Sequence, residues 1–351
     1  MASSLPCEAG MSPGMGFLAP VAISGTGHCL PERVVRNADL VAFIETSDAF
    51  IRERTGVLER RHVEPGHSLC DLAVIAAERA MADAGVGPAD IDMLIVNTLS
   101  PDYHDPSQAC LLQPLLGLGE IPAFDIRAQC SGALYGLELA RHLVSGGVYR
   151  RILVICAEIL SKRLDPSREG RNLAVLLSDG AGAFVVEPAK SGGDRLLDLL
   201  VGADGTQFEL LATQSPGSRG TSFIDSAEVA EGKHFFRMKG GEMFVDAVAR
   251  LCEASRAILS RNGLTVDDLG LVIPHQPNRR ILDAVMEELA IPGERMFITV
   301  ERLGNMASAA FPVALDRARR EGAIDPGRPT LFVTYGSGAT WGAALYGRPA
   351  G

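Results

Sequence analysis

The sequence predicts a layered α/β fold that contains an internal duplication. Short apolar strands alternate with helical stretches along the chain, and this alternation favours helices packed on a sheet over a β-sandwich. Two segments, 78–96 (ERAMADAGVGPADIDMLIV) and 256–273 (RAILSRNGLTVDDLGLVI), share the order helix, glycine, short acidic loop and buried strand. Within them Gly85 matches Gly263 at an offset of 178 residues. A period of about half the chain indicates a duplicated domain and excludes a solenoid, whose repeats are far shorter.

The individual elements follow from local composition. Leu69–Ala84 and Phe244–Arg261 are predicted as long helices. Nine apolar runs rich in β-branched residues predict strands: Val21–Gly25, Met93–Asn97, Ala123–Ile126, Ile152–Cys156, Ala183–Val186, Leu271–Ile273, Met296–Val300, Leu331–Thr334 and Ala343–Tyr346. The duplication then divides the chain into a loose tail at 1–16, an N-terminal half at 17–190 and a C-terminal half at 191–351.

Composition excludes several classes of function. The chain has 351 residues, 47% of them hydrophobic, and a net charge of −10, so it can build a large core and lacks the basic footprint that nucleic-acid binding needs. No apolar run reaches the length of a membrane span. The first sixteen residues carry no positive charge and do not read as a secretory signal. Seven scattered cysteines without CxxC spacing argue against a disulfide framework or a metal site. We therefore expect a cytoplasmic protein without a metal or a bound cofactor.

Cys130 is the candidate nucleophile. It lies between a predicted strand and an apolar helix in FDIRAQCSGALYGLELA. A thiol at a helix N-terminus meets the positive end of the macrodipole, which lowers its pKa and favours the thiolate. The alternative is a small buried residue that only packs, as most intracellular cysteines do.

His275 and Asn305 stand at comparable strand ends in the second half. His275 follows the buried strand LGLVI, at an edge where ligands gather in α/β folds, and it corresponds to Asn97 at the repeat offset. Asn305 lies in RLGNMASAAFPVAL, near the point that Cys130 occupies in the first half. A duplication would bring these segments together about a pseudo-twofold axis, although a histidine or an asparagine in a plain turn explains each residue alone.

Two glycine-rich segments have different interpretations. SDGAGAFVV at 178–186 lacks the GxGxxG pattern and runs into a strand, so it predicts close packing and not a nucleotide site. YGSGATWG at 335–342 follows a strand and predicts backbone N–H groups close to a ligand, which suits an oxyanion hole as well as a tight turn.

The chain resembles β-ketoacyl-acyl carrier protein synthase III and its thiolase-fold relatives. The resemblance runs from about Val21 to Tyr346 and rests on NADLVAFIETSDAFIRERTGV, FDIRAQCSGALYGLELA, LLSDGAGAF, HQPNRRI, GNMASAAFPVAL and GSGATWGAAL in this order. It implies a duplicated five-layer αβαβα thiolase fold with two pseudo-symmetric halves, a homodimer, and a catalytic triad of Cys130, His275 and Asn305.

The resemblance also implies a mechanism and a set of contacts. The Cys130 thiolate attacks an acyl thioester, and the backbone N–H groups of Cys130 and Ser337 hold the oxyanion. His275 and Asn305 stabilise the enolate of the second substrate. Residues that match the family's contacts to coenzyme A, pantetheine or the acyl carrier protein are Phe50, Arg54, Arg171 and Arg280, whereas Gly241 and Val245 replace an asparagine and a lysine of the family pattern.

Asp105, in SPDYHDPSQAC, departs from the family pattern. The equivalent residue in ordinary fatty-acid initiating enzymes is an apolar gate that enters the partner's acyl pocket, whereas condensing enzymes of olefin and α-pyrone pathways carry an acidic residue there. A buried carboxylate has a raised pKa and can act as a base, although Asp before Pro is also common in turns.

These residues favour a ketosynthase of specialised metabolism that condenses two acyl thioesters without decarboxylation. Decarboxylative condensation with a malonyl thioester is the first alternative. Acyl transfer to an oxygen or nitrogen acceptor is the second, and a catalytically silent partner subunit is the third. The expected partners are a second copy of the chain and acyl thioesters of coenzyme A or a carrier protein.

Overall fold

A computed structural model describes residues 19–348, so the predicted tail at 1–16 lies outside the described residues. The strands are β1 Val21–Cys29, β2 Val34–Arg36, β3 Glu59–Arg61, β4 Met93–Asn97, β5 Ala123–Ile126, β6 Ile152–Glu158, β7 Gly180–Pro188, β8 Arg195–Ala203, β9 Leu211–Ala212, β10 Arg237–Met238, β11 Leu271–Pro274, β12 Thr330–Gly336 and β13 Thr340–Gly347. The helices are α1 Asn37–Val41, α2 Asp48–Thr55, α3 Leu69–Ala84, α4 Gln108–Leu115, α5 Gly132–Ser145, α6 Arg171–Ala174, α7 Ser226–Ala230, α8 Gly240–Arg261, α9 Arg279–Leu289, α10 Val300–Leu303 and α11 Ala310–Arg320.

Two mixed sheets form the framework. The first has the order β1-β7-β6-β4-β5, in which β4 runs parallel to both β6 and β5. The second has the order β11-β12-β13-β8, with β11 parallel to β12 and the remaining pairs antiparallel. The first sheet draws on the chain before residue 190 and the second on the chain after it.

Helices cover both faces of each sheet and produce five layers, α-β-α-β-α. Helices α3 and α4 pack on the outer face of the first sheet, and α8 and α9 pack on the outer face of the second. Helices α5 and α11 lie between the sheets and share one core with both, in which Phe184 of β7 and Phe332 of β12 are almost fully buried. This is the predicted duplicated five-layer architecture.

The repeat is visible in local geometry as well as in sequence. Gly85 ends α3 with a φ of +70°, and Gly263 follows α8 with a φ of +65°. Asp90 then accepts a hydrogen bond from the Gly87 backbone N–H at 2.9 Å. At the corresponding place in the second half, the backbone N–H of Thr265 donates to Asp268 at 2.7 Å.

One strand prediction is wrong, and one long strand was not predicted. Met296–Val300 is not a strand, because only Met296 bridges to Val272 and the apolar run turns into the short helix α10. Arg195–Ala203 forms β8, which was not predicted because its leucine-rich sequence has no clear alternation. Within residues 19–348, no helix is both long and apolar enough to span a membrane.

Candidate active site

Cys130 is held in a strained turn between β5 and α5. Residues 129–131 form a single 3-10 turn, and Gln129 takes a φ of +49°, which is unusual for a residue with a side chain. Asn97 at the end of β4 fixes this turn, because its Oδ1 accepts from the Ala128 N–H at 3.0 Å and its Nδ2 donates to the Gln129 carbonyl at 3.2 Å. The framework thus places Cys130 at the N-terminus of α5, as the sequence predicts.

The electrostatics of Cys130 differ from the expectation of a lowered thiol pKa. Burial, assisted by the negative charge of Glu158, raises the pKa of the Cys130 thiol to about 12. The residue is only 9% exposed, so desolvation of the thiolate outweighs the favourable end of the helix. The surroundings of Cys130 therefore favour the neutral thiol over the thiolate.

Glu158 lies fully buried at the end of β6. Its carboxylate accepts hydrogen bonds from Ser308 Oγ at 2.5 Å, Ser100 Oγ at 2.7 Å and the Leu99 N–H at 3.1 Å. Burial nevertheless raises the pKa of Glu158 to about 7. The group can therefore change charge near neutral pH beside the nucleophile.

His275 lies at the end of β11, and its backbone N–H donates to the Val333 carbonyl at 2.8 Å. The side chain is 2% exposed, and burial lowers the pKa of His275 to about 3. Its buried Nδ1 has no hydrogen-bond partner within the described part of the chain. The imidazole is therefore neutral and has hydrogen-bonding capacity to spare.

Asn305 is fixed by its own loop. Its Oδ1 accepts from the Ala307 N–H at 2.8 Å, and its Nδ2 donates to the Pro277 carbonyl at 3.2 Å, two residues beyond His275. Ala307 has a φ of +44° and stands 178 residues after Gln129. The strained turn that holds Cys130 is thus repeated in the second half, where it places Ser308 against Glu158.

One cavity of about 970 Å³ connects the predicted residues. Cys130, His275, Asn305 and Ser337 all line it. Gly336 at the end of β12 allows a close approach, because a Cβ there would lie 2.7 Å from the backbone N of Cys130. The end of β12 and the turn at Cys130 therefore meet directly, which brings the candidate oxyanion donors to one wall.

The residues matched to coenzyme A and carrier contacts line the same cavity. Two guanidinium groups lie near the Phe50 ring, that of Arg171 at 4.7 Å and that of Arg54 at 5.8 Å from its centroid. Arg280 is exposed and lies 5.6 Å from the ring of Phe244. This cluster offers cations and an aromatic face where the cavity meets the surface.

Asp105 does not line this cavity, and its side chain is exposed. The neighbouring His104 does line the cavity. The prediction that Asp105 enters the pocket of a second copy concerns an assembly, so it stays a prediction.

Sequence reasoning missed four residues of the site. In the sequence Asn97 stands out only as the repeat counterpart of His275, whereas in the structure its side chain holds the Cys130 turn. Glu158 and Ser308 form the buried polar cluster beneath that turn, and Arg163 lines the cavity. The offset of 178 residues from Cys130 to Ser308 was the available signal for one of them. Nothing local in the sequence marks Glu158 or Arg163.

Two family models and a relative of known family match this chain. Residues 124–205 match the family model described as 3-oxoacyl-[acyl-carrier-protein (ACP)] synthase III, and residues 259–347 match the model of its C-terminal region. The β-ketoacyl-[acyl-carrier-protein] synthase III of Caldanaerobacter subterraneus is 41% identical over 323 residues, which cover 92% of this chain and 96% of that protein.

Solved structures are similar to this chain over nearly its whole length. The 3-oxoacyl-[acyl-carrier-protein] synthase III of Aquifex aeolicus is 37% identical, with a TM-score of 0.84 over 94% of this chain and 100% of that one. The priming β-ketosynthase of the R1128 polyketide biosynthetic pathway is 32% identical, with a TM-score of 0.84 over 96% and 100%. Xanthomonas campestris OleA, at 19% identity and a TM-score of 0.82 over 94% and 99%, shares the fold.

The duplicated five-layer fold and these relatives define a thiolase-fold condensing enzyme, which is an acyltransferase. The Caldanaerobacter protein is 41% identical over nearly all of both chains, which is sufficient to assign the family. The chain belongs to the β-ketoacyl-acyl carrier protein synthase III family.

Proposed function

We propose that this chain condenses an acyl group from acyl-coenzyme A with a malonyl-acyl carrier protein, with loss of carbon dioxide. The observation that carries the proposal is the single cavity lined by Cys130, His275 and Asn305. It occurs in a chain that is 41% identical to a β-ketoacyl-[acyl-carrier-protein] synthase III across 96% of that protein. These relatives favour the decarboxylative reaction over the non-decarboxylative one that the sequence suggested.

The first half-reaction transfers the acyl group to Cys130. The Cys130 sulfur attacks the thioester carbonyl carbon, and the oxyanion accepts hydrogen bonds from the N–H groups of Cys130 and Ser337. Because the thiol pKa is raised to about 12, the thiol must lose its proton during attack. The tetrahedral intermediate then expels the coenzyme A thiolate, which takes up the proton.

The second half-reaction forms the carbon–carbon bond. Loss of carbon dioxide from the malonyl thioester leaves an enolate, whose oxygen accepts hydrogen bonds from the His275 imidazole and from Asn305 Nδ2. The enolate carbon attacks the acyl-Cys130 carbonyl and expels the Cys130 thiolate. A neutral imidazole suits this donor role, because burial lowers the pKa of His275 to about 3 and no proton transfer to the enolate competes.

The entrance cluster fits a nucleotide-bearing donor. Arg54 and Arg171 supply cations for phosphate groups, and Phe50 offers a face on which a base can stack. Arg280 is exposed beside Phe244 and is available to an acidic carrier protein. Acyl-coenzyme A and a carrier protein are therefore the proposed partners, together with a second copy of the chain.

Mass spectrometry tests this function directly. The parent protein, incubated with an acyl-coenzyme A, should gain one acyl increment on Cys130. It should then convert malonyl-carrier protein labelled with ¹³C at the free carboxyl into unlabelled β-ketoacyl-carrier protein and ¹³CO₂. Cys130→Ala should lose the increment, whereas the matched control Cys110→Ala, at an exposed cysteine outside the cavity, should keep it. Product formed from two non-malonyl thioesters without labelled carbon dioxide would refute the proposal.

Variants at His275 and Asn305 should separate acylation of Cys130 from the condensation step. His275→Ala and Asn305→Ala should still accept an acyl group to some degree, because the oxyanion donors are backbone groups. Both variants should fail to condense, because they lack an enolate donor. Full product formation by either variant would remove that residue from the catalytic set.

Non-decarboxylative condensation is kept as a second candidate because of one observation. Asp105 is an exposed carboxylate in the loop beside His104, where the family resemblance implies an apolar residue. In a homodimer this carboxylate would serve as a base in the partner's cavity.

A further inference from the structure

Arg163 is an unusual residue for the wall of an acyl-binding cavity. It follows β6 in a short 3-10 turn and lines the cavity together with Cys130. Its Nη1 donates to the Leu99 carbonyl at 2.6 Å, and its Nη2 donates to Thr213 Oγ1 at 3.2 Å. The guanidinium lies over the Phe236 ring, 4.3 Å from the centroid. These contacts fix the group in place and use two of its five N–H donors.

The charge of Arg163 is not matched by an ion pair within residues 19–348. Desolvation lowers the pKa of Arg163, the negative Glu158 raises it, and the positive Arg127 lowers it further. Glu158 already accepts hydrogen bonds from Ser308, Ser100, Thr98 and the Leu99 N–H, and Arg127 lines the same cavity. A desolvated cation of this kind is costly unless an anion compensates it.

The chain beyond Thr213, which Arg163 contacts, also offers unused hydrogen-bonding capacity, and there the Ser215 N–H donates to the carbonyl of Lys233, next to His234. Ser215 and His234 both line the cavity. Ser215 is 1% exposed, and neither its Oγ nor His234 Nδ1 has a partner among the described residues. Ser215 can present its hydroxyl to a ligand by rotation about χ1. This wall therefore combines a cation with two polar groups, in contrast to the apolar cluster of Cys130, Leu160 and Leu173 beside it.

We propose that the acyl group received by Cys130 ends in a carboxylate, which pairs with Arg163 in the cavity and is assisted by Ser215 and His234. The inference rests on the proposed function, since it identifies the substrate class of the same cavity. Arg163 is then a specificity-determining residue, and the chain selects ω-carboxyacyl thioesters over apolar acyl thioesters of the same shape.

Matched acyl pairs test this selectivity without malonyl substrate. Succinyl-coenzyme A is compared with 4-methylpentanoyl-coenzyme A, and glutaryl-coenzyme A with 5-methylhexanoyl-coenzyme A, because an isopropyl group has nearly the shape of a carboxylate. The readout is the ratio of initial acylation rates at Cys130 within one protein preparation, which does not depend on the folded fraction. The parent should favour the carboxylate member of at least one pair by about tenfold or more, as a charge-assisted hydrogen bond provides.

Two variants and a control separate charge from structure. Arg163→Met should lose this preference or reverse it, and Arg163→Lys, which keeps the charge, should retain part of it. Arg168→Met, at an exposed arginine of the same loop that does not line the cavity, should leave the ratio unchanged.

Several results would overturn the inference. An apolar preference in the parent that Arg163→Met does not alter would overturn it while leaving the proposed function intact. A carboxylate preference that appears only in Asp105→Asn would show that the partner's carboxylate already neutralises Arg163, and would overturn it too. If Arg163→Met changes only the rate of malonyl consumption, Arg163 contacts the second substrate and not the acyl group on Cys130, and the inference is overturned. If no acyl-coenzyme A acylates Cys130, the inference and the proposed function both fail.

Discussion

At the residue scale, the chemistry of Cys130 is coupled to a carboxylate that the sequence did not bring forward. Glu158 is fully buried, and its negative charge adds to the burial that raises the thiol pKa. The pKa of Glu158 is itself raised from 4.5 to about 7. As the pH rises through 7, Glu158 ionises and opposes formation of the Cys130 thiolate.

Glu158→Gln should therefore make Cys130 more reactive above about pH 7, because the variant has no negative charge that opposes the thiolate. The amide keeps the size of the side chain, and its oxygen can accept from both the Leu99 N–H and Ser100 Oγ, which share one carboxylate oxygen in the parent. The hydroxyl of Ser308, which bonds the other oxygen, can rotate to accept from the NH₂. The rate of Cys130 alkylation by iodoacetamide, followed at the peptide level, should exceed that of the parent increasingly as the pH rises through about 7, where the parent's Glu158 ionises. Equal alkylation rates of parent and variant above pH 7 would contradict the coupling, and the exposed Cys110 serves as the internal control.

Glu158→Gln should also change how the free energy of unfolding depends on pH. Because the pKa of Glu158 is raised on folding, the folded state holds this proton more tightly than the unfolded state. The parent thus loses free energy of unfolding as the pH rises from about 4.5 to about 7. Glu158→Gln should remove this dependence, so its unfolding free energy relative to the parent should be higher at pH 8 than at pH 4. Equal differences at both pH values, measured by urea unfolding, would contradict the assignment.

At the element scale, the glycine-rich segment at 178–186 illustrates what a local motif can and cannot establish. From Gly180 onward it belongs to β7, and its glycines let α11 lie directly on the sheet. A Cβ at Gly182 would lie 2.8 Å from Pro312 Cγ and 2.9 Å from the backbone N of Val313. The prediction of close packing in place of a nucleotide site agrees with this contact.

Gly182→Ala should therefore destabilise the protein by about 1–3 kcal/mol, the usual cost of overpacking a rigid interior. The neighbour is helix backbone, which cannot move aside as a flexible side chain can. Gly119→Ala is the matched control, because a Cβ at Gly119 meets nothing within 4 Å. Urea unfolding midpoints measure both variants, and equal midpoints would show that α11 adjusts.

Elements with strong local signals were predictable, and those defined by distant partners were not. Helix α3 begins and ends as predicted, because Ser68 caps its N-terminus and Gly85 closes it with a left-handed residue. Strand β4 at Met93–Asn97 is also as predicted. Strand β8 is defined by its pairing with β13, and the leucines of Arg195–Ala203 do not favour a strand over a helix. Long-range pairing overrides propensity in such cases.

At the scale of the whole molecule, the sequence predicted which residues meet around the candidate cavity but not the electrostatics of that cavity. Cys130, His275 and Asn305 come from three separate loops, and the family resemblance together with the repeat offset was sufficient to group them around one cavity. The raised pKa of Cys130 and the lowered pKa of His275 both arise from burial by the assembled layers. Burial of this kind depends on tertiary structure, so no local pattern indicates it.

The role of Asp105 depends on whether the functional unit contains one chain or two. Its carboxylate is exposed here and does not line the cavity of its own chain. If decarboxylation generates the enolate, no base is needed, and Asp105→Asn should keep malonyl-dependent condensation at close to the parent rate. If Asp105 is instead the base of a non-decarboxylative reaction, Asp105→Asn should leave Cys130 acylation intact and slow condensation of two non-malonyl thioesters by about 100-fold or more.

Mixing two inactive variants decides whether such a base acts across a subunit interface. Should the parent join two non-malonyl thioesters, Cys130→Ala and Asp105→Asn would each fail alone, for lack of the nucleophile and of the base. After unfolding together and refolding, a mixed dimer contains one cavity in which an intact Cys130 meets the partner's intact Asp105. We expect this mixture to recover activity only if Asp105 acts in the partner's cavity. A mixture as inactive as its components, with mixed dimers verified by native mass spectrometry, would contradict action across the interface.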